Sequence, residues 1–103
     1  MKQIELKELK QKDPAGNDAV LNYADYLRVI MQSPMNPQAG ADIEEIRHSI
    51  RVLEALDTGG DDGFALEDAD YAFMVRKIKT AKFMFINKEI LKFIDDVTGV
   101  TNG

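Results

Sequence analysis

The sequence predicts a mainly α fold: one small domain over residues 1–103, of about four helices, with a short two-stranded β-ribbon joining residues 3–7 to 63–66. Three observations predict it. Apolar residues recur at steps of three and four in four separate segments, the period of a helix with one buried face. Clusters of proline, glycine and aspartate separate those segments. Two short stretches, around Ile4 and around Phe64, place apolar residues at alternate positions, as half-buried strands do.

The first stretch, "KQIELKEL", alternates Ile4 and Leu6 with charged neighbours and reads as a strand. "KQKDPAGND" follows, with Pro14, Gly16 and Asn17, and reads as a loop. "NYADYLRVIMQSP" then sets Tyr23, Tyr26, Leu27, Ile30 and Met31 on one helical face. Asn22 is its N-cap, Asp25 lies in its first turn, and Ser33-Pro34 ends it. The connection "SPMNPQAGA" holds two prolines and a glycine and is a loop.

The strongest stripe belongs to residues 43–56. Ile43, Ile46, Ile50, Leu53 and Leu56 recur at helical spacing and are expected to face inward. Asp42 and Glu45 stand at the spacing of a capping box, and Gly59-Gly60 stops the helix. Phe64 and Leu66 then alternate, and pairing with Ile4 and Leu6 would satisfy both backbones. "EDADYAFMVRKIKTAK" carries a stripe of Tyr71, Met74, Val75 and Ile78. Asn87 caps a last helix whose inward residues are Ile90, Phe93, Ile94 and Val97, ending at Gly99. In "KFMFI", Phe83 and Phe85 share a face if the run is extended and diverge if it is helical. Residues 98–103 read as a frayed tail.

Composition narrows the function. With 103 residues, 45% hydrophobic and 30% charged, the chain is long enough and apolar enough for one core. A net charge of −5 argues against a generic DNA- or membrane-binding surface. The absence of cysteine excludes disulfides and thiolate metal sites. No apolar run reaches the length of a membrane span or of a signal-peptide core, so a cytoplasmic protein is expected.

Residues 55–68, "ALDTGGDDGFALED", carry the most conspicuous motif. Its Asp-Thr-Gly resembles the active-site segment of retroviral aspartic proteases, in which two chains each give one carboxylate to a dyad sharing a proton. That resemblance implies an extended strand before Asp57, where this chain has its best helical stripe. It also implies a glycine-rich flap, yet no glycine occurs from Phe64 to Thr98. The motif therefore reads as a coincidence of common residues at a helix end, and a homodimeric protease using Asp57 is kept only as an alternative.

The same acids approach the length of an EF-hand loop, but neither register fits. Starting at Asp57 puts Asp62 where glycine belongs; starting at Thr58 puts Ala69 where a bidentate glutamate belongs. His48 is the sole histidine and is expected to face solvent. No phosphate-binding glycine loop or serine nucleophile stands out. No catalytic residue, cofactor or metal site is expected.

Charge is unevenly distributed. Residues 42–70 carry ten acids against Arg47 and Arg51, whereas residues 71–93 carry six basic residues against Glu89. Acids opening the third helix and bases closing it complement its dipole. The same asymmetry suits charged partners or stacking with copies of the chain. At about 100° per residue, Phe73 points nearly opposite its helix's stripe, alongside Arg76 and Lys77. Either another segment covers Phe73, or Phe73, Arg76 and Lys77 form an aromatic and cationic patch for a partner.

Taken together, "YADYLRVIMQSP", "ADIEEIRHSIRVLEALD", "LEDADYAFMVRKI" and "EILKFIDDV", behind a short N-terminal strand, resemble segments of small uncharacterised proteins of tailed bacteriophages and prophages. The resemblance implies a non-enzymatic protein–protein interaction module: an accessory or virion (tail or head) assembly protein. Its partner would be a phage structural or host protein, met in the host cytoplasm or the virion, without direct contact to nucleic acid or membrane. An acidic decoy or regulator that occupies a host protein through residues 54–70 is the alternative.

Overall fold

A computed structural model describes residues 1–13, 15–83 and 86–100. Eight elements follow in chain order: β1 (Lys2–Glu5), β2 (Glu8–Lys12), β3 (Asp18–Asn22), α1 (Tyr23–Gln32), α2 (Ile43–Thr58), β4 (Gly63–Leu66), α3 (Asp68–Thr80) and α4 (Lys88–Thr98). The ribbon between the start of the chain and Phe64 is present. β1 and β4 pair antiparallel, with Ile4 opposite Phe64 and Lys2 opposite Leu66. Ile4, Phe64 and Leu66 all point into the core, which is the physical content of the alternation. Gly63 is required here for room: a Cβ on it would lie 2.5 Å from the Ile4 carbonyl oxygen.

The expectation of a mainly α fold is corrected by a second sheet. β2 and β3 form an antiparallel hairpin, with Leu9 opposite Leu21, so the described chain has four helices and two two-stranded sheets and is mixed α/β. The reason it escaped the sequence reading is its polarity. "ELKQK" offers a single apolar residue, Leu9, and its strand is held by backbone pairing and not by an apolar stripe. The loop expected over residues 10–18 is therefore reduced to a tight connection. There the Asp13 carboxylate accepts from the backbone N–H groups of Ala15 at 3.0 Å and Asn17 at 2.9 Å, an Asx turn. Gly16, at φ +85°, takes the left-handed position. One backbone bond extends each ladder: Leu6 N–H donates to the Asp62 carbonyl at 2.8 Å beyond β1–β4, and Tyr23 N–H to the Lys7 carbonyl at 3.0 Å beyond β2–β3.

The helices begin where the capping residues stand. Asn22, Asp42 and Asn87 each accept the backbone N–H three residues on, from Asp25, Glu45 and Ile90. In α1, Tyr23, Leu27, Ile30 and Met31 are buried, with Tyr26 half-buried; in α4, Ile90, Phe93 and Val97 are buried, with Ile94 half-buried. Both faces are those the periodicity predicts. Tyr23 and Tyr26 each meet Phe93 edge-on, at 5.0 and 5.5 Å between centroids.

α2 departs from expectation. Its span is right, but the buried side is Glu45, Ser49, Val52 and Leu56, while Ile43, Ile46 and Ile50 lie outside. The helix has turned so that its acid and hydroxyl, not its isoleucines, meet α3. α3 is buried on more than one side, through Asp70, Tyr71, Phe73, Met74, Lys77 and Ile78, because α2, α1 and α4 all pack on it. The expectation about Phe83 and Phe85, and that about the end of the tail, fall partly outside the described residues.

Candidate functional site

The α2–α3 contact is built on a buried cation. Lys77 is 3% exposed, and its Nζ lies 3.2 Å from Glu45 Oε2, donates to the Met31 carbonyl at 2.9 Å, and donates to Ser49 Oγ at 2.8 Å. Glu45 in turn accepts the Met35 backbone N–H at 2.8 Å. A serine beside a lysine has the look of a hydrolytic dyad. Three acceptors around Nζ match the three donors of an ammonium, however, and Lys77 donates its hydrogen bond to the Ser49 oxygen where a general base would accept one. The cluster ties α1, α2 and α3 together and leaves no group aimed at a substrate.

A second polar contact lies beside it. Asp70, buried at the start of α3, accepts from His48 Nδ1 at 2.9 Å and stands 3.7 Å from Arg51. The His48 ring stacks on Phe73 with centroids 5.0 Å apart. His48 is thus a half-buried cover and not the solvent-facing residue the sequence suggests; its outer nitrogen meets the exposed Glu44 carboxylate at 3.8 Å.

These contacts place the three residues singled out as a partner patch. Phe73 is 4% exposed, covered by His48, and Lys77 is buried beneath it; only Arg76 is exposed, its guanidinium 5.6 Å from the Phe73 centroid. The structure brings the three together, and it answers the alternative about Phe73: another segment covers it.

Asp57 lies in the last turn of α2 and is ion-paired with Arg28 of α1. Residues 50–56 are helical, so the extended strand implied by the protease resemblance is not there. Arg28 and Asp57 line an open polar cleft of about 540 Å³, together with Lys7, Glu8, Asn22 and Asp61. Two cations, Lys7 and Arg28, face three acids there, Glu8, Asp57 and Asp61.

Comparison with family models, curated proteins and solved structures found no match. The functional reading therefore rests on geometry.

What remains unexplained by packing is the outer face of α2. Ile43 is 67% exposed, Ile46 47% and Ile50 48%, with half-buried Leu53 completing the row. Isolated exposed apolar residues are ordinary; here three isoleucines stand in one row along a helix. A shallow pocket of about 220 Å³ lies alongside, lined by Pro34, Ala41, Ile46, Ile50 and Leu53 among others. The sequence did show this row, as the chain's best amphipathic stripe, but assigned it to the core. The cue to the contrary was Lys77: a lysine facing inward from α3 needs an acid, and Glu45 supplies it only if the isoleucines turn away.

One further buried contact fixes α4. Tyr23 Oη donates to Asp96 Oδ2 at 2.6 Å. Burial, and then the bond to Asp96 and its negative charge, push the Tyr23 phenol well above its ordinary value. Burial works to raise the Asp96 carboxyl too, but hydrogen bonds from Tyr23 and Lys92 and the charge of Lys7 outweigh it and hold that group below its ordinary value. Among the described residues no helix is long and apolar enough to cross a membrane.

Proposed function

We propose that the chain is a non-enzymatic protein–protein interaction module, a phage or prophage accessory or virion-assembly protein, that docks through the outer face of α2. The observation that carries this reading is the row Ile43, Ile46, Ile50 and Leu53 lying outside, on a helix whose inner face holds a glutamate and a serine. Exposing isoleucine while burying an ion pair gains nothing for folding. The arrangement makes sense where another surface covers the row. The polar contacts of Ser49 and His48 are used up in holding α2 to α3, which supports a binding role over a catalytic one.

The test is capture of phage structural or host proteins on the immobilised chain, compared with an Ile46→Glu/Ile50→Glu variant. Partners that depend on the row are expected to be lost with the variant, its circular dichroism being unchanged. Partners retained equally by both chains would remove the row from the reading.

The decoy reading draws on a different feature. Asp61, Asp62 and Glu67 are all exposed, near the end of α2 and the start of α3. Competition with DNA for a basic host protein, abolished by neutralising Asp61 and Asp62, would favour it over docking through α2.

A further inference from the structure

We infer that the occupant of the α2 face is a second copy of this chain, packed antiparallel about a twofold axis near Ile50. The inference rests on the interaction-module reading and names its partner. Ile43, Ile46, Ile50 and Leu53 are spaced three, four and three residues apart, the seam spacing of paired helices. At about 100° per residue the centre of this row lies about 110° around the helix from the buried side. Ile43, Ile46 and Ile50 therefore clear the protomer's own core, and half-buried Leu53 borders it.

The flanks decide the orientation. On one side of the seam stand Arg47 and Glu54, both exposed, seven residues apart and opposite in charge. Neither has an ion-pair partner among the described residues. On the other side stand Ser49 and Leu56, both buried against the chain's own body. A parallel copy would set Arg47 and Glu54 beside the partner's buried flank. An antiparallel copy sets like flank against like flank, and so brings the charged flanks of the two copies together. With the axis near Ile50, Arg47 meets the partner's Glu54 and Glu54 meets the partner's Arg47. One flank carrying both signs at that spacing is self-complementary, the requirement of a twofold interface. The pocket between Pro34, Ala41 and Ile46 receives an isoleucine from the partner's seam.

The seam is short, roughly 15 Å along the helix at 1.5 Å per residue. It covers less than the roughly 800 Å² per partner of a standard interface, so association is expected in the micromolar range. Sedimentation equilibrium of the full chain from about 1 µM to about 1 mM is expected to show a monomer–dimer equilibrium. Arg47→Glu alone and Glu54→Arg alone each set like charges together, and each is expected to weaken it about tenfold. The two reversals combined restore the pairing and bring association back to within about threefold of the parent chain. Ile50→Ser, on an exposed position, abolishes the dimer while the chain stays folded.

A chain that remains monomeric over the whole range overturns the inference, as does a double reversal no stronger than either single one. Row-dependent capture of another protein by a chain that never dimerises would leave the module standing and remove the second copy as its occupant.

Discussion

Helices α2 and α4 carry apolar stripes of similar regularity, yet the α4 stripe is turned inward and the three isoleucines of the α2 stripe lie outside. In α4, Ile90, Phe93 and Val97 are in the core and the polar side faces out. In α2 the order is inverted: Glu45 and Ser49 are inside, and Ile43, Ile46 and Ile50 outside. The difference lies in what each helix meets. α4 packs on aromatic side chains of α1, where apolar residues fit without conditions. α2 meets Lys77, and a buried ammonium accepts only oxygen. A periodic stripe fixes that a segment is helical; which side is buried depends on the surface it packs against.

The largest expected effect tests the inverted helix at its origin. Lys77→Met leaves the Glu45 carboxylate buried and without its cation, a change expected to cost about 3–5 kcal/mol in urea unfolding. Adding Glu45→Leu should recover much of that loss. Failure of the pair to recover any would mean that the cation is not what orients α2.

The next test sets the two stripes side by side. Ile90→Ala in α4 removes a buried side chain and is expected to cost about 2–4 kcal/mol. Ile50→Ser in α2 should change monomer stability by no more than about 0.5 kcal/mol, as surface changes do. Equal losses would place the α2 stripe in the core after all and erase the contrast.

The smallest effect sharpens the description of α4. Asp96→Asn weakens its anchor on Tyr23 and is expected to cost about 1 kcal/mol at neutral pH. Because the folded carboxyl is held below its ordinary value, its contribution is complete above about pH 4 and is lost as the pH falls through the folded value. Parent and variant should therefore converge in acid. The Tyr23 phenol acts in the opposite sense: held above its ordinary value, it stabilises fully below about pH 10 and loses that contribution as the pH rises further.

Much of the architecture was legible where local chemistry decides it. Asn22, Asp42 and Asn87 are side chains that cap helices wherever a helix follows, and each does so here. Ile4 and Phe64 alternate in short strands and pair with each other. The β2–β3 hairpin was not legible, because Lys10, Gln11 and Lys12 carry no apolar period and the ladder is made by backbone groups that every residue possesses. The rotation of α2 was hidden for another reason. Ser49 and Lys77 are 28 residues apart in the chain, and nothing near Ser49 announces that a cation will arrive there. The partner patch had the same difficulty: Phe73 and Lys77 look exposed by their angle on α3, until His48 and Glu45 of another helix close over them.

The pairing of Lys2–Glu5 with Gly63–Leu66 also governs when this protein can become itself. On the ribosome Lys2–Glu5 emerge before their partner strand and must wait, their hydrogen-bonding edge unspent, until Gly63–Leu66 have followed them out. The hairpin of residues 8–22 can close early; the strand ahead of it cannot, since loop closure over that distance precedes any reward from contact. A ribosome stalled before residue 63 would thus hold a nascent chain with a formed hairpin and an unpaired β1, open to protease until its mate arrives.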